Sequence, residues 1–363
     1  MFVVFLITTI SIILFFLLAV TFYKWKRLQR YNQSPLKIST FDESNSPYHP
    51  SVLYFENGWN GYKYWMAETP FSPQSKPYMD RNECPSIHVS NNGIDWEEIA
   101  INPIDDLNEQ EEKELDFFSD PHLVHANGKM ECWYRFTHRN GNRSYFDNLQ
   151  LVRKTSRDGT SWSEREILVN LATKEGNTLG NMVVSPAVLY NNGVYRMWFV
   201  DSESRIARNV AYSESINGHD WTEKKICNLN GKENIPWHID VNIIDGKYHL
   251  LSYNFSTITL WKSEDGINFS FIKEILKPSV FGSFYGYTLY RACIIKDDKY
   301  KIYFSGNDSL RTYIGLLQGD DINNLNIVSK GKHLNFLKLI EYQYRLKRRS
   351  IIFVINRFIK KIK

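Results

Sequence analysis

Five side chains of this sequence are the candidates for moving protons or attacking a polar bond: Asp120, Glu83, Asp240, His238 and His49. Carboxylates and imidazoles exchange a proton near neutral pH, and hydrolysis of a glycosidic bond needs an acid for the leaving oxygen and a carboxylate for water or direct attack. Further residues suit a polar, ring-shaped ligand. Trp237 offers an aromatic face to a sugar ring, Arg135 and Arg291 match a carboxylate or phosphate, and Asp201, Ser185 and Tyr290 add hydrogen-bonding groups. No metal-ligand spacing links any of them, so the expectation is a site without a metal.

These residues are scattered along the chain, and a repeat explains how they meet. One pattern occurs five times: a β-run, a tight Gly or Asp turn, and a second run rich in aromatics. The copies are HPSVLYFENGWNGYKYWM, DPHLVHANGKMECWYR, SPAVLYNNGVYRMWFV, HIDVNIIDGKYHLLSY and YRACIIKDDKYKIYFS. Asn-Gly and Asp-Gly at the turns are strong hairpin signals. A second turn follows each hairpin, in VSNNGIDWEE, TSRDGTSWSE, YSESINGHDWTE, KSEDGINFSF and a degraded LLQGDDINNLNIV. There Asp or Asn caps the turn, Gly takes the positive φ and the aromatic plugs the space between sheets, an arrangement that resembles the Asp-box turn of sialidases.

Five repeats of four strands predict an all-β, five-bladed β-propeller over 45–330. In such a fold the first strand of each blade lines a central channel. Counting eight residues back from Gly128, Gly193 and Gly246 gives Asp120, Ser185 and His238, and Tyr290 stands equally far before Asp298. His49 takes the matching place in the first blade, whose hairpin has an insertion. The expected channel ring is therefore His49, Asp120, Ser185, His238 and Tyr290. Trp65, Trp133 and Trp198 fall on second strands, where aromatics fill the core.

On these strand starts (His49-Pro50, Asp120-Pro121, Ser185-Pro186), the blade count and the Ser-x-Asp-Gly turns, the body resembles the five-bladed propeller glycosidases, the superfamily of glycoside hydrolase families 32, 43, 68, 117 and 130. Resemblance to family 43 implies an Asp base on blade one, an orienting Asp on blade two and a Glu acid on blade three. Asp120 carries over onto blade two, whereas His49 and Ser185 stand where the base and acid would be. His238 matches a channel histidine common in that family, and family 117 would allow a histidine acid. The resemblance also admits a calcium ion beside the blade-four histidine. Two functions stay open: a glycoside hydrolase-like enzyme acting on a glycan or polysaccharide at a membrane, or a non-catalytic glycan-binding or polysaccharide-assembly propeller that has lost the trio.

The ends of the chain differ from its body. The whole chain has 363 residues and a net charge of +4, yet 1–30 holds four basic residues and no acid, 331–363 holds ten basic residues and one acid, and 31–330 carries −9. An acidic body is a poor partner for nucleic acid. Residues 1–23 are uncharged and apolar enough for a transmembrane anchor, with 24–44 as a juxtamembrane linker. All four flanking charges follow the apolar run, so the positive-inside rule favours a single-pass protein with its body in the cytoplasm, while large domains can translocate despite local charge, which leaves an extracytoplasmic body as the alternative. The tail 331–363 interleaves basic and apolar residues, as in an amphipathic helix on an anionic leaflet or a solvated helix packed on the domain. Cys84, Cys132, Cys227 and Cys293 are widely spaced and read as small buried strand residues.

Overall fold

The computed structural model describes residues 2–31, 34–71, 83–99, 101–141, 148–172, 177–180, 182–202, 208–232, 235–254, 257–278, 284–308 and 311–328, with side chains described for 8–23 of the first helix. The body is all-β and forms five sheets, each assembled from consecutive antiparallel strands. Their inner strands are Pro47–Trp59, Phe117–Ala126, Val183–Asn191, His238–Ile244 and Thr288–Lys296. Each pairs with the next strand through the hairpin that the Gly or Asp turns specify, and so the sheets follow the sequence repeats as blades one to five. Blade four has a fifth strand, Asn228–Asn230, parallel to Asn268–Leu276 on its outer edge.

The second set of turns holds neighbouring blades together. Gly159 of blade two lies against the Trp65 ring of blade one, where an added Cβ would come within 2.1 Å. Gly218 of blade three lies on Trp133, and Gly266 of blade four lies on Trp198, whose Nε1 donates to the Gly266 carbonyl at 2.7 Å. Gly93 of blade one closes the circle, its carbonyl accepting from Tyr303 Oη of blade five at 2.9 Å. A side chain at Gly159 would collide with the neighbour's ring, and at Gly218 and Gly266 it would crowd it. Trp65, Trp133 and Trp198 are fully buried there, as expected for core.

The four cysteines are free and buried. Leu36 and Ile38, within the segment read as a linker, are buried against Met66, Cys293 and Ile314, and the Leu36 amide donates to the Ile314 carbonyl at 2.9 Å. An α-helix runs from Phe2 to Tyr31, with exposed apolar side chains from Ile10 to Tyr23. Among the described residues no helix is long and apolar enough to cross a membrane. The basic tail 331–363 lies outside the described residues.

Candidate metal centre in the channel

The ring residues are presented by a shared backbone device. His49, Asp120 and Ser185 each precede a proline and each has a positive φ, of 52°, 56° and 52°. The pairing register of all three inner strands shifts at that point, so each x-Pro pair forms a β-bulge. Proline has no N–H to contribute to a ladder, which suits a bulge, and the bulge turns the preceding side chain toward the channel. Blade five has a similar shift between Leu289 and Ala292, around Tyr290 and Arg291. Blade four pairs without interruption from His238 to Ile244. Left-handed backbone at non-glycine residues is costly, and its repetition at the channel mouth marks a site.

His49, Asp120 and His238 each bring one ligand atom within 4.8 Å of the others, and all three are buried. His238 Nδ1 lies 3.3 Å from Asp120 Oδ1. The other Asp120 oxygen faces Arg135 Nε at 2.8 Å and accepts from the Ser185 amide at 3.1 Å. His49 Nδ1 bonds Thr69 Oγ1 at 2.9 Å and lies 3.3 Å from Glu83 Oε2. A carboxylate on that side favours the proton on Nδ1 and leaves the Nε2 lone pair for a ligand. Among the described residues, His49 Nε2, Asp120 Oδ1 and both ring nitrogens of His238 have no hydrogen-bond partner. Buried polar atoms are rarely left in that state, and a cation at their centre would satisfy them.

The electrostatics select the matching protonation states. Burial pushes His49 down to about 3, against the pull of Asp120 and with help from Arg291 and Arg135. Burial holds His238 well below the ordinary imidazole range too, again against Asp120. For Asp120 burial alone would favour the neutral acid, but Arg135, then His238, His49 and Arg291, hold it below the usual carboxylate range. Two neutral imidazoles and one carboxylate form a donor set for a divalent transition metal. From spacing alone the expectation is a site without a metal, with a calcium ion admitted by the resemblance; these three donors come from three blades, and no local spacing announces them.

The structure sorts the other expected residues around this centre. Glu83 is at the ring, beside His49. Ser185 is a tie between blades: its hydroxyl donates to the Ile239 carbonyl at 3.0 Å and accepts from the Ile239 amide at 3.1 Å. Tyr290 lies 4.2 Å from the His238 ring, centroid to centroid, and its hydroxyl accepts from Trp237 Nε1 at 2.9 Å. Trp237 was expected to offer an open face, but the Arg208 guanidinium sits 4.2 Å from its ring centroid. Asp201 pairs with Lys224 at 2.8 Å. Asp240 lies one alternation deeper than His238, with Oδ2 accepting from the Ile294 amide at 3.1 Å, and burial pushes it up to about 6 against Arg291 and that amide. Arg291 is completely enclosed and bonds main-chain carbonyls, so it does not present its charge to a ligand.

His122 and Thr69 were missed. His122 falls two residues after Asp120, the strand period that returns a side chain to the channel, and this was the available signal. It forms no Ser-His-Asp relay with Ser51 and Asp240, because both approach the same nitrogen, Nδ1, while Nε2 bonds the Val188 carbonyl at 3.0 Å.

The five-bladed propeller is a fold shared with solved carbohydrate-active enzymes. No protein-family model matches the chain. It is 24% identical over 331 residues to an A type blood N-acetyl-α-D-galactosamine deacetylase of Flavonifractor plautii, covering 78% of this chain and 42% of that protein's length. The crystal structure of an N-acetylgalactosamine deacetylase from F. plautii with blood group B trisaccharide superposes with a TM-score of 0.65 at 19% identity, over 79% of this chain and 95% of that one. The RS223 β-xylosidase gives a TM-score of 0.55 at 11% identity, over 78% of this chain and 95% of that one. Likeness at these identities shows a common fold.

Proposed function

We propose that this protein hydrolyses the acetamido group of an N-acetylated sugar within a glycan, using a divalent cation held by His49, Asp120 and His238. The observation that carries this reading is the buried three-donor cluster with its unpartnered atoms. The similarity to a deacetylase supports the reaction class.

When bound, the cation supplies Lewis-acid polarisation of the acetyl carbonyl and acidifies a water molecule. Asp120 stays ionised beside Arg135 and keeps one oxygen for the cation. Glu83, against His49 Nδ1, orients that imidazole with Nε2 toward the cation, and the proton that the attacking water loses passes to the departing nitrogen. The water oxygen bonds to the carbonyl carbon, the C–N bond breaks, and the products are acetate and an amino sugar. Tyr290, Tyr48 and Phe71, stacked in series with centroids 4.9 and 5.2 Å apart, wall one side of the mouth and suit the apolar face of a sugar ring.

Glycosidic hydrolysis is the weaker reading. It needs a proton donor and a second carboxylate across the scissile bond, while Asp120 is held charged and Asp240 lies deeper, among His122 and Arg291. The membrane setting expected from the uncharged N-terminal run is retained as part of the proposal, with protease protection of the body in intact spheroplasts against lysed cells as its test.

The catalytic test incubates the protein with oligosaccharides ending in N-acetylgalactosamine or N-acetylglucosamine and measures free acetate and free monosaccharide. Acetate release that stops with a chelator and returns with Mn²⁺ or Zn²⁺ supports the proposal. Release of an intact N-acetylated monosaccharide would make the protein a glycosidase, and saturable binding without either product would make it a binding module.

A further inference from the structure

Below the ring lies a charge that the proposed reaction does not use. Arg291 is 0% exposed, on the inner strand of blade five, and its guanidinium crosses the channel toward blades two and three. Nη1 donates to the Pro121 carbonyl at 2.8 Å, and Nη2 donates to the Pro186 carbonyl at 3.2 Å. Nη2 also lies 3.3 Å from His122 Nδ1, which can accept because His122 Nε2 is bonded to the Val188 carbonyl. Among the described residues no carboxylate pairs with the guanidinium, and Nε has no hydrogen-bond partner. A buried arginine directed at main-chain carbonyls spends its donors on backbone geometry.

The two carbonyls belong to the residues directly after Asp120 and Ser185, the left-handed residues of two bulges. Those bulges are joined to each other, since the Ser185 amide donates to Asp120 Oδ2 at 3.1 Å. We infer that Arg291 is a positioning residue that clamps the bulges of blades two and three, holding the Asp120 carboxylate where His49 and His238 meet it. The fork geometry is essential, because one planar group must satisfy two carbonyls on different strands, and a lysine ammonium cannot reproduce that plane. The clamp itself stands on hydrogen bonds in the cation-free protein; its consequence for cation affinity rests on the metal reading proposed above.

The experiment compares full-length wild type, Arg291→Lys and Arg291→Met by hydrogen exchange without metal and by calorimetric titration with Mn²⁺ or Zn²⁺ alone. The clamp predicts exchange about ten times faster in peptides covering 117–126 and 183–191, with other blades unchanged, in both variants. It also predicts a fall of roughly 10–100-fold in cation affinity, the range for residues supporting metal ligands. A purely electrostatic role predicts the opposite, since removing a positive charge in Arg291→Met would tighten cation binding and Arg291→Lys would leave it unchanged. Unchanged local exchange, or tighter binding by Arg291→Met, overturns the clamp. If the methionine variant does not fold, Arg291→Gln replaces it as the neutral comparison and is read in the same way. Accelerated local exchange in a protein whose wild type binds no cation upholds the clamp and overturns the metal reading instead.

Discussion

The Asp-box turns and the channel ring contain the same kinds of polar residue and treat them in opposite ways. At the turn of blade two, Ser156 Oγ accepts from the Gly159 amide at 2.7 Å, and Asp158 Oδ1 accepts from the amides of Thr160 and Ser161 at 2.8 Å each. Ser263 and Asp265 repeat the arrangement in blade four, with Oγ to Gly266 N at 2.9 Å and Oδ1 to Ile267 N and Asn268 N at 2.9 and 2.8 Å. In the ring, His49 Nε2, Asp120 Oδ1 and both His238 nitrogens are buried without such partners. The turns use side-chain oxygens to complete backbone geometry; the ring holds side-chain atoms open in a low-dielectric site. Satisfied groups hold the turns together, and the ring differs in that three unsatisfied donors from three blades converge within 4.8 Å.

Substitutions should separate the two regions. Asp120→Asn is expected to lower acetate release by about a thousandfold or more, because it removes the anionic donor at the centre of the cluster. Steady-state kinetics with a melting curve checks this, and a parallel loss of fold would count against a functional role. His238→Ala should weaken Mn²⁺ or Zn²⁺ binding by at least about a hundredfold, read by titration, since it removes a ligand outright. Gly159→Ala should act in the reverse sense. Its φ of +79° and a Cβ 2.1 Å from Trp65 make it costly, by about 1–3 kcal/mol, with activity per folded molecule unchanged.

Acid should distinguish the regions by pH window. His49 and His122 are each pushed by burial to about 3 from an ordinary value of 6.5. Their unfolded forms bind protons that the folded forms refuse, so the cation-free protein loses stability as pH falls from 6.5 toward 3. Asp240, raised to about 6, works the other way between its ordinary value and 6, and one carboxyl offsets only part of the histidine effect. Asp158 is held below the carboxylate range first by the Ser161 and Thr160 amides, so its contribution is present above the ordinary carboxylate pKa and is lost only in stronger acid. Denaturant titrations of His122→Gln should therefore show a flatter slope between pH 3 and 6.5, whereas Asp158→Ala should lower stability at every pH above about 4 and flatten the slope only below it. The smallest effect is expected for Ser156→Ala, which removes a turn hydrogen bond at about 1 kcal/mol and should leave cation affinity as it was.

Much of the site was legible because the repeat set a register. Eight residues before each hairpin turn stand Asp120, Ser185 and His238, and His49, Asp120 and Ser185 do share one left-handed, pre-proline conformation. Arg291, one residue beyond the ring position of blade five, was read as a ligand contact on charge alone. Position in sequence does not reveal that a guanidinium lies beneath the ring and finds carbonyls there. Trp237 was read as a platform for the same kind of reason, and the Arg208 guanidinium against its ring comes from a different blade.

What the sequence determined by itself is local. Gly takes the turns, Asp and Asn cap them, and Pro breaks the ladder at three strand starts; these effects act over a few residues and recur from blade to blade. Only the closed circle of blades decided the chemistry. It brought His49, Asp120 and His238 from three separate repeats to within 4.8 Å, removed them from water, and so set one carboxylate charged beside two neutral imidazoles. Desolvation and the fields of Arg135 and Arg291 are properties of that assembled interior, and no segment of the chain has them alone.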